Sequence, residues 1–133
     1  MQPHFISLTP NLVVSDIERS TAFYRDVLGI PVHATVPDAA PFAFVWLQQG
    51  AVTIFLNDQR TVGDLDPHLA ARPLGGSFTM YLRVTGVNSL WERVSTRAKI
   101  AEAINTKPYG MREFAIEDPD GYLITVAEEM GQP

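Results

Sequence analysis

Two stretches of this chain are built on one plan, and that duplication constrains the fold more than any other feature. Near the C-terminus, Asp118-Pro119-Asp120-Gly121 separates two short apolar runs. Proline presets one backbone angle and glycine permits a positive φ, so the tetrapeptide predicts a tight turn between antiparallel strands. Phe42 to Leu56 repeats the plan: an apolar run, a turn ending at Gly50, then Ala51-Val52-Thr53-Ile54-Phe55-Leu56. When the two are superposed, Gly50 meets Gly121 and Ile54 meets Thr125.

The rest of each copy follows the same order. Residues 5–14 alternate, with Leu8, Leu12 and Val14 on one face and Thr9, Asn11 and Val13 on the other, which predicts a half-buried strand; Pro10 marks an edge or a bulge in it. Ser15-Asp16-Ile17-Glu18 predicts a capping box, with Ser15 accepting from a helix amide and Glu18 reaching back. Ile17, Thr21, Tyr24 and Leu28 then recur at helical spacing until Gly29 and Pro31 end the helix. Strands at about 31–37, 41–48 and 51–57 complete a β-α-β-β-β module spanning about 5–57. Residues 58–76 hold Gly63, Pro67, Pro73 and Gly75-Gly76 without a sustained period, and read as a connecting loop with a helical turn near Leu69-Ala70-Ala71.

From Phe78 the pattern restarts. Phe78, Met80, Leu82 and Val84 face one way, and Thr79, Tyr81 and Arg83 the other; Val87, Leu90, Trp91 and Val94 mark a helix, and strands follow near 101–105, 111–117 and 122–128. This second module spans about 77–130, an offset of about 70 residues, so the expectation is a single α+β domain of paired βαβββ modules.

Composition narrows the function. A net charge of −5 opposes a nucleic-acid partner and favours a cationic ligand over an anionic one. The absence of cysteine excludes disulfides and thiolate metal sites. No apolar run approaches the roughly 18 residues of a membrane span, and Met1-Gln2-Pro3-His4-Phe5 resembles no signal peptide, so a cytoplasmic protein with no membrane partner is expected.

The Val13-Val14-Ser15-Asp16, Phe23-Tyr24 and Leu28-Gly29 opening, the closing Glu117-Asp118-Pro119-Asp120-Gly121 and the paired modules together resemble the vicinal oxygen chelate superfamily of glyoxalases, dioxygenases and bleomycin-resistance proteins. The resemblance implies curved half-barrel sheets with helices outside, enclosing a cleft. Metal-dependent members take one ligand from the first and one from the last strand of each module. The matching positions here are Thr9, Ile54, Thr79 and Thr125, none a good donor to a divalent cation, and neighbouring residues are no better. Val52-Thr53-Ile54-Phe55, Tyr109 to Ala115 and Val126-Ala127-Glu128-Glu129 resemble the metal-free bleomycin-resistance branch. That branch implies a homodimer with no cofactor, sequestering a small-molecule ligand.

With Ile54 facing the cleft, alternation puts Phe42, Phe44 and Trp46 on the same side, joined by Asn11, Tyr81, Arg83 and Glu113. The aromatic stripe suits a flat or cationic antibiotic-like ligand, and equally suits a packed core or a dimer seam. Arg83 and Glu113 suit a polar pocket, and equally a plain ion pair across the sheet. His4, His33 and His68 show no metal spacing and read as solvated. The rival to a binding protein is a lyase, isomerase or dioxygenase of the same superfamily, with or without a metal; a cofactor-free version would use Glu113 as a base.

Overall fold

The computed structural model describes residues 3–65 and 67–131. Each half of the chain forms one four-stranded mixed sheet, and the two sheets share one strand order. In the first, β1 (Asn11–Val14), β2 (Val32–Val36), β3 (Phe44–Gln49) and β4 (Val52–Asp58) lie in the order β1-β4-β3-β2. In the second, β5 (Thr79–Arg83), β6 (Lys99–Thr106), β7 (Met111–Glu117) and β8 (Leu123–Glu129) lie in the order β5-β8-β7-β6. First and last strands of each module run parallel, which requires a crossover, and the other neighbours are antiparallel. The duplicated α+β architecture expected from the sequence is therefore present.

Helices supply both crossovers. α1 (Ile17–Ala22) continues as a π-helical turn, Phe23–Val27, in which the Leu28 amide donates to the Phe23 carbonyl at 3.1 Å. Gly29 then turns the chain at φ 84°, a conformation that favours glycine. Between the modules lie α2 (Gln59–Leu65) and α3 (Pro67–Ala70), and α4 (Val87–Val94) crosses the second sheet. Ile17, Tyr24, Val87 and Val94 from the helices and Leu12, Val45, Leu47, Ile54, Leu56, Phe114, Ile116 and Ile124 from the sheets form one continuous core. No described helix is long and apolar enough to cross a membrane.

The modules are clasped at the turn that the sequence marks out. Gly121 (φ 89°) closes it through its amide to the Asp118 carbonyl at 3.0 Å. The Asp118 carboxylate accepts from the Tyr24 hydroxyl at 2.6 Å and from the Asp120 and Tyr122 amides at 2.9 Å, and Tyr122 donates its hydroxyl to the Val13 carbonyl at 2.9 Å. Burial first, then the neighbouring Asp118, pushes the Tyr24 hydroxyl well above its ordinary pKa; burial also raises that of Asp118.

Three local expectations change. The first strand begins at Asn11, not residue 5, because Pro10 has no amide to extend the ladder; Phe5, Ile6 and Leu8 are exposed instead. The cap of α1 is Asp16, which accepts the Arg19 amide at 3.2 Å, whereas Ser15 donates its hydroxyl to Asp120 at 2.6 Å and joins the clasp. Residues 59–65 are helical and not loop: Asp58 accepts the Arg60 amide at 2.9 Å, Val62 is buried, and seven residues are too few to display a period.

Candidate functional site

Pleating gives each sheet one face against its helix and one open face. On the first sheet the open face carries Asn11, Phe44, Trp46, Thr53, Phe55 and Asn57. Phe55 meets Phe44 and Trp46 edge to face, with ring centroids 5.1 and 5.4 Å apart, and His33 of β2 lies tilted against Trp46 at 4.5 Å. Asn57 donates to Asn11 at 2.6 Å at the end of this wall.

Ile54 is not on that face. It pairs with Leu47, is 1% exposed and belongs to the core beneath α1. The superposition on Thr125 fails because the loops differ: Gln49 pairs with Val52 across two residues, whereas Glu117 pairs with Leu123 across five. Equal distances from the turn glycine therefore put the two side chains on opposite faces of their sheets, as a slip of one residue does. Phe55 holds the position assigned to Ile54. Phe42 also departs from its assignment, since it precedes β3 and is partly buried against the core.

The second sheet gathers Tyr81, Glu113, Ala115 and Thr125 on its open face, with Thr125 opposite Tyr81 on one side and Ala115 on the other. Glu113 is 6% exposed, and one carboxylate oxygen accepts the Tyr81 hydroxyl at 2.7 Å while the other accepts that of Tyr109 at 2.8 Å. Both tyrosines are more than half exposed, so they roof a carboxylate that the sheet holds from below. A recess of about 420 Å³ adjoins it, lined by Glu113, Ala115, Thr125, Leu123, Tyr109 and Lys107 among others. Lys107 is paired with Glu102 at its rim. Arg83 turns away and pairs with Glu129 at 3.1 Å, so the alternative reading, an Arg83–Glu113 ion pair, is not realised. A larger recess, about 700 Å³, opens between Gly29, Ala51, Val84 and Arg93, but no buried ionisable side chain faces it.

The hydrogen bond to Glu113, with some burial, raises the Tyr81 pKa from 10.0 to about 12; the same bond raises that of Tyr109. Both phenols thus stay protonated and donating at neutral pH. Glu113→Gln removes the charge that holds the Tyr81 proton, so its pKa should fall from about 12 towards 10.0. Tyrosinate absorbance during an alkaline titration measures this; an unchanged high-pH transition would contradict the bond.

The residues at the superfamily's ligand positions do not fit a divalent metal. Thr9, Phe55 in place of Ile54, Thr79 and Thr125 offer hydroxyls and hydrocarbon, and among the described residues no three of His, Cys, Asp and Glu gather as a ligand set. Sequence reasoning missed Phe55, His33 and Tyr109. The two-residue turn after Gln49 carried the signal for Phe55, and Tyr109 stands four residues before Glu113 in a turn; nothing local pointed to His33.

Paired βαβββ modules, each with its last strand inserted beside its first and one sheet face left open, define the glyoxalase type of architecture. The chain belongs to the Glyoxalase/Bleomycin resistance protein/Dioxygenase superfamily, whose sequence profile matches residues 3–126. No protein of curated function matches it. Among solved structures it is similar to TioX from Micromonospora sp. ML1, at 19% identity, TM-score 0.74, over 94% of this chain and 99% of that one. It is similar to a lactoylglutathione lyase from Agrobacterium tumefaciens at 21% identity, TM-score 0.70, covering 96% and 95%. A virulence protein of Salmonella typhimurium shares 27% identity, TM-score 0.69, covering 96% and 98%.

Proposed function

We propose that this protein is a metal-independent binder of small molecules, acting as a homodimer and taking flat or aromatic compounds that carry positive charge. The observation that carries the reading is the nearly buried Glu113 carboxylate, held on an open sheet face by two phenols. An anion kept out of water without a cationic partner is costly, and a ligand cation would supply that partner. The wall of Phe44, Trp46, Phe55 and His33 on the other sheet adds aromatic area on which such a ligand could stack, each cation–π contact contributing about 0.5–2 kcal/mol.

Exposed apolar side chains and open strand edges support the homodimer. Exposed Phe5, Ile6 and Leu8, the edge strand β5 and the stretch of β4 ahead of its pairing with β1 are surfaces that a second copy would cover. A dimer would also let the aromatic wall of one protomer meet the Glu113 face of its partner. Light scattering during size exclusion should return twice 14.7 kDa, and a monomer at micromolar concentration would refute the dimer.

The binding test is a fluorescence titration with a panel of aromatic cations. Trp46 emission should change in the wild type, and by calorimetry Trp46→Ala and Glu113→Gln should each weaken binding about tenfold, with Glu92→Gln on the exposed side of α4 leaving it unaltered. A panel that moves neither the emission nor the melting temperature would reject the reading.

A further inference from the structure

The way Glu113 is held also selects among cations. Each oxygen of a carboxylate can accept about two hydrogen bonds. The hydroxyls of Tyr81 and Tyr109 each occupy one, on different oxygens. One acceptor direction per oxygen is left, so two further N–H donors, one to each oxygen, would complete the set. The same phenols fix the carboxylate plane, which removes much of the ordering cost of a two-point contact.

The recess has the size and walls for a small ring beside that contact. It measures about 420 Å³, and Ala115, Leu123, Thr125 and Tyr109 are among the residues that line it. Glu113 and Glu102 against Lys107 leave it one net negative charge. A quaternary ammonium would bring charge but no N–H, so it would leave both remaining acceptor directions unfilled.

We infer that the recess on the second sheet takes planar cations with two adjacent N–H donors, an amidinium or a guanidinium group on a small ring, in preference to quaternary ammonium ions. This rests on the cation-binding reading above and adds to it the donor pattern that Glu113 recognises.

Three probes separate the two ideas: benzamidine, phenyltrimethylammonium and neutral benzamide, titrated calorimetrically into the protein. Benzamidine should bind at least about tenfold more tightly than the other two, and Glu113→Gln should lose that margin. Ala115→Leu, which fills the recess from the sheet and leaves Glu113 and both tyrosines in place, should weaken benzamidine about as much. Tyrosinate absorbance should show the Tyr81 transition moving to lower pH when benzamidine neutralises Glu113, and staying in place with benzamide.

Equal binding of benzamidine and phenyltrimethylammonium would overturn the donor-pattern inference and leave the cation-binding reading standing. Benzamidine binding that survives both substitutions would place the ligand elsewhere and overturn the inference. Failure of both cations to bind would overturn the two together.

Discussion

Replacing Asp118 by alanine should lower the melting temperature by about 10 °C, a loss of about 3–4 kcal/mol. The substitution removes the acceptor for the buried Tyr24 hydroxyl and for the amides of Asp120 and Tyr122, so it strips one inter-module bond and two bonds inside the closing turn at once. Tyr24 is fully buried, and its hydroxyl would find no water in compensation. Asp118→Asn keeps a carbonyl oxygen in the turn and should cost much less. The pH dependence separates geometry from charge. Burial holds the folded pKa of Asp118 above the ordinary carboxylate value, so the stability tied to its neutral form is complete below that ordinary value and is lost as pH rises through the folded one. Wild type should show that loss in acid-range melts, and the Asn variant should lack it. An alanine variant melting within about 2 °C of wild type would mean that the clasp contributes little.

The second large effect separates the two faces of β4. Ile54→Ala empties a fully buried site between Leu47 and the helix side of the core, and should cost about 2–4 kcal/mol while leaving ligand binding in place. Phe55→Ala, one residue on, removes the ring shared by Phe44 and Trp46 and should cost less stability while abolishing the Trp46 response to aromatic cations. Thermal melts and fluorescence titration of the two variants give opposite patterns. If Ile54→Ala loses binding while Phe55→Ala keeps it, the strand is in the other register.

Both predictions turn on what a sequence can and cannot carry. Local chemistry was legible: the Asp118–Gly121 turn, the helices after each first strand, the period-2 runs of β5, β7 and β8, and the repeat that joins them into two modules. Those signals come from bonds and periodicities within a few residues, and 111–117 was read to its observed ends. The open faces were legible wherever alternation ran unbroken, which is why Tyr81 and Glu113 stand where the pattern put them, now joined by a hydrogen bond.

Tertiary structure decided the rest, through pairings that a linear pattern does not display, some across a short turn and some from far away in the chain. The face of Ile54 depends on pairing across a turn, since the number of loop residues sets which side of the sheet the next strand presents. Tyr109 reaches Glu113 because the β6–β7 turn folds it back, and Arg83 pairs with Glu129 instead of Glu113. Ser15 serves Asp120, 105 residues later, in place of its own helix. The sequence by itself determined which elements form and that they come twice; only packing decided which side chains meet, because contacts between modules satisfy buried polar groups that no local pattern records.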